Sequence, residues 1–363
     1  MKIAIIGTRG IPNYYGGFEQ FAEYLAQYLV KRGHSVTVYN SYSHPYQEKE
    51  WNGIDILHKY DPEDKIGTAG QFIYDLNCIL DSRKRNFDII LQLGYTSSSI
   101  WGRLLPKNAK VVTNMDGLEW KRTKYSKTVQ KFLLYAEKLG VKFSDALVAD
   151  SIGIQKYLYE KYSLNSRYIP YGSHVVDNFC AKLLDEYALE PYKYSMLIAR
   201  LEPENSIEII LDGVADNSDD SDFIVVGNHL TRYGTFIKEK YKSNKNIRFL
   251  GGIYDIEKLN DLRYYAKLYF HGHTVGGTNP SLLEAMGSGA LICANDNVFN
   301  RSILGDDALY FNSKEDVSIC LNTNVLESRA RIIKNNFAKI KTIYSWDKIV
   351  TQYEDLFHEV YNK

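Results

Sequence analysis

The chain holds 363 residues, with 44 Lys and Arg against 44 Asp and Glu, a hydrophobic fraction of 45% and four cysteines. Single hydrophobic cores stop growing near about 250–300 residues, so this length implies two domains. A formal net charge of zero argues against a dedicated nucleic-acid binder, and the apolar fraction with only eight prolines excludes a largely disordered chain.

In chain order, Lys2 to Ile6 reads as a strand and Glu19 to Arg32 as a helix, with Phe21, Leu25 and Leu29 at helical spacing and Gly33 closing it. Strands follow at Ser35 to Tyr39, Phe87 to Leu93, Lys110 to Asn114 and Phe143 to Ala149. Strands alternating with helices predict parallel β-α-β units and a doubly wound sheet. Tyr168 to Gly172 has the Pro and Gly of a connection, and an irregular stretch runs on to about Lys193. The rhythm then restarts, with strands at Ser195 to Ala199, Phe223 to Val226, Ile247 to Leu250, Leu268 to Phe270 and Leu291 to Ala294. Helical patterns include Ser206 to Ala215, Pro280 to Met286 and an amphipathic tail from Trp346 to Tyr361. The fold class expected is α/β with two Rossmann-like domains, 1–170 and 190–340, facing each other across a cleft, and a helix at 341–363 packing back toward the first.

The opening Ile3-Ala4-Ile5-Ile6 is too short for the apolar region of a signal peptide, and no run of about 18 apolar residues predicts a spanning helix. Cys78, Cys180, Cys293 and Cys320 lie far apart, a pattern that fits reduced thiols and a cytoplasmic location. Charge is uneven. Residues 101–142 carry ten Lys and Arg against three acids, and 202–222 carry eight acids and no base. The basic stretch is either a solvated helix face or, with Trp101, Trp120 and the Phe132-Leu133-Leu134 run, a surface for an anionic membrane or a lipid diphosphate.

Four segments carry candidate chemistry. Gly7-Thr8-Arg9-Gly10 follows the first strand and Gly16-Gly17 precedes the first helix, where glycines let backbone amides approach a phosphate; a plain tight turn is the simpler reading. The spacing is not that of a dinucleotide fingerprint, and the second strand ends Val38-Tyr39-Asn40 without the acid that would hold a ribose, so NAD is disfavoured. In His271-Gly272-His273-Thr274-Val275-Gly276-Gly277-Thr278-Asn279-Pro280-Ser281-Leu282-Leu283-Glu284, a glycine turn opens a helix whose first turn presents amides, Pro280 suits its start, and Ser281 offers a hydroxyl. Glu284 either accepts bonds from sugar hydroxyls or serves as a charge near the helix start. Two histidines at i and i+2 make a poor metal site without a third ligand. Arg200 ends a strand, placed either for a phosphate or for an ion pair with Glu202 or Glu204. Asp116, Glu119 and Trp120 after the Lys110 to Asn114 strand suit sugar recognition. Asp220-Ser221-Asp222 matches a metal-binding D-x-D in form but reads as an acidic loop, so metal independence is expected.

Gly16-Gly17-Phe18-Glu19, Arg200 and the glycine turn running into Glu284-Ala285-Met286 resemble retaining glycosyltransferases of family 4, which have the GT-B fold. Gly7 to Pro12 with Gly16 to Glu19, Asp116 to Arg122 and Gly276 to Glu284 are similar to the bacterial subgroup that includes rhamnosyltransferases of capsule and cell-wall polysaccharide assembly. The resemblance implies that Asp116, Arg200 and Glu284 form the catalytic set. Arg200 would pair with the donor diphosphate, cradled by Gly277, Thr278, Asn279, Pro280, Ser281 and Leu282, with Gly16 and Gly17 approaching the same phosphates. Glu284 would hold the ribose, as the second glutamate of an E-x7-E motif, and Ile253 and Tyr254 would contact the base. Tyr15, Glu119, Trp120, Lys121 and Arg122 would face the acceptor or the membrane. Three positions depart from the pattern: Gly276 replaces the first glutamate, Asn205 the lysine five residues after the arginine, and Asp116 a histidine.

The implied reaction is transfer of a hexose, best fitted by L-rhamnose from a thymidine-diphosphate donor, with retention and with no cofactor beyond the nucleotide sugar. The acceptor expected is a polysaccharide or an undecaprenyl-diphosphate-linked glycan at the inner membrane face, with no nucleic acid involved. A uridine or guanosine donor, a nucleotide-sugar 2-epimerase and a non-catalytic sugar-nucleotide sensor remain as alternatives.

Overall fold

The computed structural model describes the whole chain except residues 116, 123, 124, 219, 220, 276 and 325, and at 326 and 327 the backbone alone. Contacts divide the chain into two units, Met1–Tyr171 with Trp346–Lys363, and Gly172–Ser345.

The first unit opens with β1 (Lys2–Ile6), α1 (Gly17–Lys31), β2 (Ser35–Ser41), β3 (Glu50–Trp51) and β4 (Ile54–Lys59). It continues through α2 (Glu63–Ile66), α3 (Gly70–Ser82), β5 (Ile89–Leu93), β6 (Lys110–Asn114), α4 (Lys127–Phe143), β7 (Ala146–Ala149), α5 (Ile152–Tyr162) and β8 (Arg167–Tyr168). The strands form one sheet in the order β3-β4-β2-β1-β5-β6-β7-β8, parallel except for the β3–β4 pair. β1 and β5 are covered on both faces, which is why they read as continuous apolar runs. Ala4, Ile6, Tyr39 and Ile90 pack against Tyr74, Cys78 and Ile79 of α3, each large apolar side chain contributing about 1.5–3 kcal/mol by burial. Ser126 caps α4 by accepting from the Val129 amide, and Ser151 caps α5 in the same way from Ile154.

The second unit contains β9 (Tyr194–Ile198), α6 (Ile207–Ala215), β10 (Asp222–Val226), α7 (Arg232–Lys240), β11 (Ile247–Gly251), α8 (Ile256–Tyr264) and β12 (Tyr269–His271). After these come α9 (Pro280–Gly287), β13 (Ile292–Asn295), α10 (Val298–Leu304), β14 (Leu309–Phe311), α11 (Lys314–Asn322) and α12 (Leu326–Thr342). Its sheet is wholly parallel, in the order β11-β10-β9-β12-β13-β14. Leu197, Phe223, Val225, Phe270 and Cys293 meet Ile207, Ile210, Leu211 and Val317 in its core.

The chain then returns to the first unit as α13 (Trp346–Tyr361), which buries Trp346, Ile349, Tyr353 and Phe357. The Trp346 ring stacks on Tyr24 at 4.8 Å, Tyr353 lies 5.4 Å from Phe21, and Arg32 of α1 pairs with Glu354 at 2.8 Å. Counting parallel strands, each sheet reverses its order once, beside β1 in the first unit and beside β9 in the second, and ligands of doubly wound sheets bind at the carboxyl ends of strands at such points.

Candidate functional site

In the second unit, the reversal lies where β9 meets β12. The loop after β9 carries Arg200 to Asn205, and the loop after β12 carries Gly272 to Asn279. The two are joined main chain to main chain. The amide and the hydroxyl of Thr274 both donate to the Glu204 carbonyl, at 3.1 and 2.8 Å, and a Cβ on Gly272 would stand 2.0 Å from the Asn205 carbonyl oxygen. Asn205 is buried and donates its side-chain amide to the Arg200 carbonyl at 2.7 Å. The residue standing where the resemblance places a lysine therefore fixes the backbone of the strand end. The Arg200 side chain is exposed, and among the described residues no carboxylate pairs with it, so the ion pair with Glu202 or Glu204 does not form.

α9 begins with Pro280, which has no N–H, behind the N-cap Asn279. The Ser281 amide donates to Asn279 Oδ1 at 2.9 Å and the Leu282 amide to the Asn279 carbonyl at 3.1 Å. That corrects the expectation that the amides through Leu282 are open to a phosphate: the Ser281 and Leu282 amides are taken up by Asn279 within the helix start. Ser281 is also turned inward, its hydroxyl 2.9 Å from the Tyr269 hydroxyl and 3.3 Å from Arg263 Nη2, so it is not offered outward as expected. Glu284 lies on the next turn, with Oε2 accepting from Arg263 Nη2 at 2.6 Å. Ile253 is half-buried and Tyr254 exposed, after β11. His271 is fully buried at the end of β12, stacked on His273 at 4.4 Å, and burial pushes its imidazole well below the usual range, so it stays neutral. Among the described residues no group of three His, Cys, Asp or Glu is placed to hold a metal. Of the D-x-D segment, Asp220 lies outside the described residues, and Asp222 starts β10, at the opposite strand end from the site, paired with Arg248 at 2.5 Å.

In the first unit, Gly7 (φ +89°) passes so close to β5 that a Cβ would meet the Leu93 carbonyl at 2.4 Å, which places the loop after β1 at the reversal point. Asn40 grips that loop, donating to the Ile11 carbonyl at 2.8 Å and accepting from its amide at 3.1 Å. Gly16 caps α1, its own amide donating to Asn13 Oδ1 at 3.1 Å, and Gly17 is exposed at the helix start. Glu19, buried in the first turn, accepts from the Arg9 amide at 2.9 Å, and burial pushes its carboxyl up. Arg9 makes a two-pronged pair with Glu63 at 2.6 and 2.8 Å, and its guanidinium lies 3.7 Å from the centre of the exposed Tyr15 ring. Beneath them, the fully buried Asp75 carboxyl accepts from the Ser97 hydroxyl at 2.5 Å and is pushed up to about 7, chiefly by desolvation.

The segment expected to meet acceptor or membrane is largely self-paired. Glu119 accepts from Arg122 at 2.7 Å, the Trp120 indole donates to Glu137 at 3.2 Å, and Lys121, exposed, lies 5.4 Å over the Trp120 ring. Glu137 is buried and also accepts from Tyr157, Tyr162 and Lys161. The apolar groups expected to dip into a membrane are turned into cores: Trp101 packs with the β1–α3 cluster, Phe132 packs with Ala136 and Leu158, and Leu133 is buried. The exposed side of α4 instead shows Lys131, Tyr135, Lys138 and Lys142. Asp116, and Gly276 at the position of the missing glutamate, lie outside the described residues. Sequence reasoning overlooked Arg263, Glu63 and Asp75; each has its partner far along the chain, and no local pattern marks it.

Residues 1–174 match a family model described as a domain of unknown function (DUF1972). No curated protein matches the chain. Among solved structures, sucrose-phosphate synthase from Thermosynechococcus elongatus superposes with a TM-score of 0.81 at 15% identity, over 99% of each chain. HepE from Anabaena, in complex with UDP and glucose, gives 0.77 at 17% identity, again over 99% of each. The catalytic domain of starch synthase IV from Arabidopsis thaliana, bound to ADP and acarbose, gives 0.73 at 14% identity, over 100% of this chain and 99% of that one. The chain has their fold, GT-B.

Proposed function

We propose that the chain is a retaining glycosyltransferase that uses a nucleoside-diphosphate hexose. The observation that carries this reading is the β9–β12 reversal point of the second unit, where an exposed Arg200, with no carboxylate paired to it among the described residues, stands on a fixed backbone at the same sheet edge as a glycine turn and the Arg263-held Glu284. A guanidinium matches a diphosphate in charge and fork geometry, and an oriented carboxylate suits sugar hydroxyls. The solved complexes of HepE with UDP and of starch synthase IV with ADP support a nucleotide as the ligand class.

As the glycosidic bond breaks, negative charge grows on the leaving diphosphate. Arg200, reaching from a strand end whose backbone Asn205 fixes, and the turn at Gly277 to Asn279 stabilise it. Retention follows a front-face course in which the leaving phosphate accepts the acceptor's proton, with Asp116 orienting sugar or acceptor. Arg200 supplies the cation a metal would otherwise bring, so the reaction proceeds without one. The finer reading is L-rhamnose from a thymidine-diphosphate donor, moved to a polysaccharide or lipid-diphosphate-linked glycan of the bacterial surface at the cytoplasmic membrane face. What supports it is the likeness of Gly7 to Glu19, Asp116 to Arg122 and Gly276 to Glu284 to rhamnosyltransferases. The exposed Lys131, Lys138 and Lys142 on α4 suit an anionic surface.

A thermal-shift panel of nucleoside diphosphates and their sugars, with and without Mg²⁺, tests this directly. A ligand at 100 times its dissociation constant adds about 2.7 kcal/mol to stability. Selection of the thymidine compounds with indifference to Mg²⁺ is the expected result. A uridine or guanosine preference overturns the sugar and keeps the transferase, and no shift with any nucleotide overturns the function.

A further inference from the structure

Arg263 on α8 is 1% exposed, an unusual place for a guanidinium. Among the described residues its Nε has no hydrogen-bond partner, and Nη1 reaches only the side chain of Asn260, at 3.3 Å. Stability does not account for such a residue, because a buried ion pair seldom outperforms apolar side chains of the same volume. What distinguishes Arg263 is its partner. Among the described residues its one ion pair is with Glu284, and that side chain keeps 18% of its surface exposed. The pair is graded, with the cation sealed behind and the carboxylate at the surface. The same Nη2 lies 3.3 Å from the Ser281 hydroxyl, which meets the Tyr269 hydroxyl at 2.9 Å, and the guanidinium stands 5.9 Å from the centre of the Tyr269 ring. These links tie Glu284 to α8, β12 and the first turn of α9.

An ionised carboxylate only accepts hydrogen bonds, so a ligand it selects must donate. We propose that Arg263 is a positioning residue, holding Glu284 in one orientation to accept from the ribose hydroxyls of the donor nucleotide, which in the deoxyribose of a thymidine donor means the 3′-hydroxyl alone. This rests on the function proposed above. Arg263 itself, sealed behind Glu284, touches no substrate and acts through that carboxylate.

The test measures dissociation constants of UDP, ADP, GDP and dTDP for wild type, takes the tightest, and repeats the titration with the analogue lacking the ribose hydroxyls. R263M, R263K, E284Q and R263M/E284Q are then compared on both ligands. R263M is expected to weaken the parent nucleotide about tenfold, one charge-assisted hydrogen bond. It is expected to leave the hydroxyl-free analogue unchanged and to add no loss in the E284Q background, while R263K recovers part of the affinity. Equal weakening of both ligands, or the same loss with and without Glu284, shows a structural role and overturns the proposal; so does no change at all. If R263M fails to fold, R263K carries the same comparison, because it keeps the charge and loses the fork. A wild type that binds a nucleotide but ignores the ribose hydroxyls overturns the positioning role alone. A wild type that binds none overturns the proposed function as well.

Discussion

Replacing Asp75 with Asn changes one atom of a fully buried side chain and removes a titration. In the folded chain the Asp75 carboxyl is pushed up to about 7 by desolvation, with the Ser97 hydroxyl donating to it and Asp61 adding a repulsive charge. Unfolded, it ionises at about 3.9. Between these values the unfolded chain has released the proton and the folded chain has not, so Asp75 removes stability as pH rises, and the loss is complete above about 7. At about 1.4 kcal/mol per pH unit, the two units from pH 5 to pH 7 amount to about 3 kcal/mol. The amide of the Asp75→Asn variant cannot ionise, and it keeps an oxygen to accept from Ser97. Urea melts of both proteins at pH 5, 6, 7 and 8 measure the difference. The variant should gain on wild type by about 3 kcal/mol across that range, with the two curves parallel above pH 7.5. Curves that stay parallel from pH 5 to pH 8 would refute the reasoning, because they would mean that Asp75 already ionises in the fold at an ordinary pH.

Arg200→Ala should lower kcat/KM by about 10²–10³ while thermal stability holds, because the side chain is exposed and unpaired; assays on the donor selected by the nucleotide panel read this out. Gly272→Ala forces a Cβ to within 2.0 Å of the Asn205 carbonyl oxygen and must spread the loops after β9 and β12, costing about 1–3 kcal/mol and weakening nucleotide binding; an unchanged melting temperature would count against the main-chain packing described. Lys131, Lys138 and Lys142 replaced together by Ala should weaken binding to vesicles containing anionic lipid, at about 1 kcal/mol per residue, and leave binding to neutral vesicles as it was.

What the sequence made legible follows from how local each signal is. β1 and β5 announce themselves because a strand buried on both faces is an unbroken apolar run, and α13 because its apolar positions keep a helical period over 16 residues. β4 escaped because it has neither mark: only Ile54 and Ile56 are buried, with Asp55 exposed, and half-exposed Leu57, His58 and Lys59 blur the alternation. α1 starts two residues before the expected Glu19 because Gly16 takes the N-cap with no side-chain bond, a start that the usual capping residues would not signal. The same logic divides the site. Arg200, Gly277 and Glu284 stand out because a parallel sheet delivers its strand ends to one edge, so a charged or glycine-rich loop after a strand is visible in one dimension. Arg263 could not be seen that way. It sits on α8, a helix of mixed polarity, 21 residues before Glu284, and nothing in its neighbourhood separates a sealed guanidinium from a solvated one. Asp75 and Ser97 are 22 residues apart, and Arg9 and Glu63 are 54 apart. Candidate side chains that follow a strand, in its loop or in the first turns of the next helix, are suggested by position alone; their partners are written into the packing of separate elements, and only the fold brings them together.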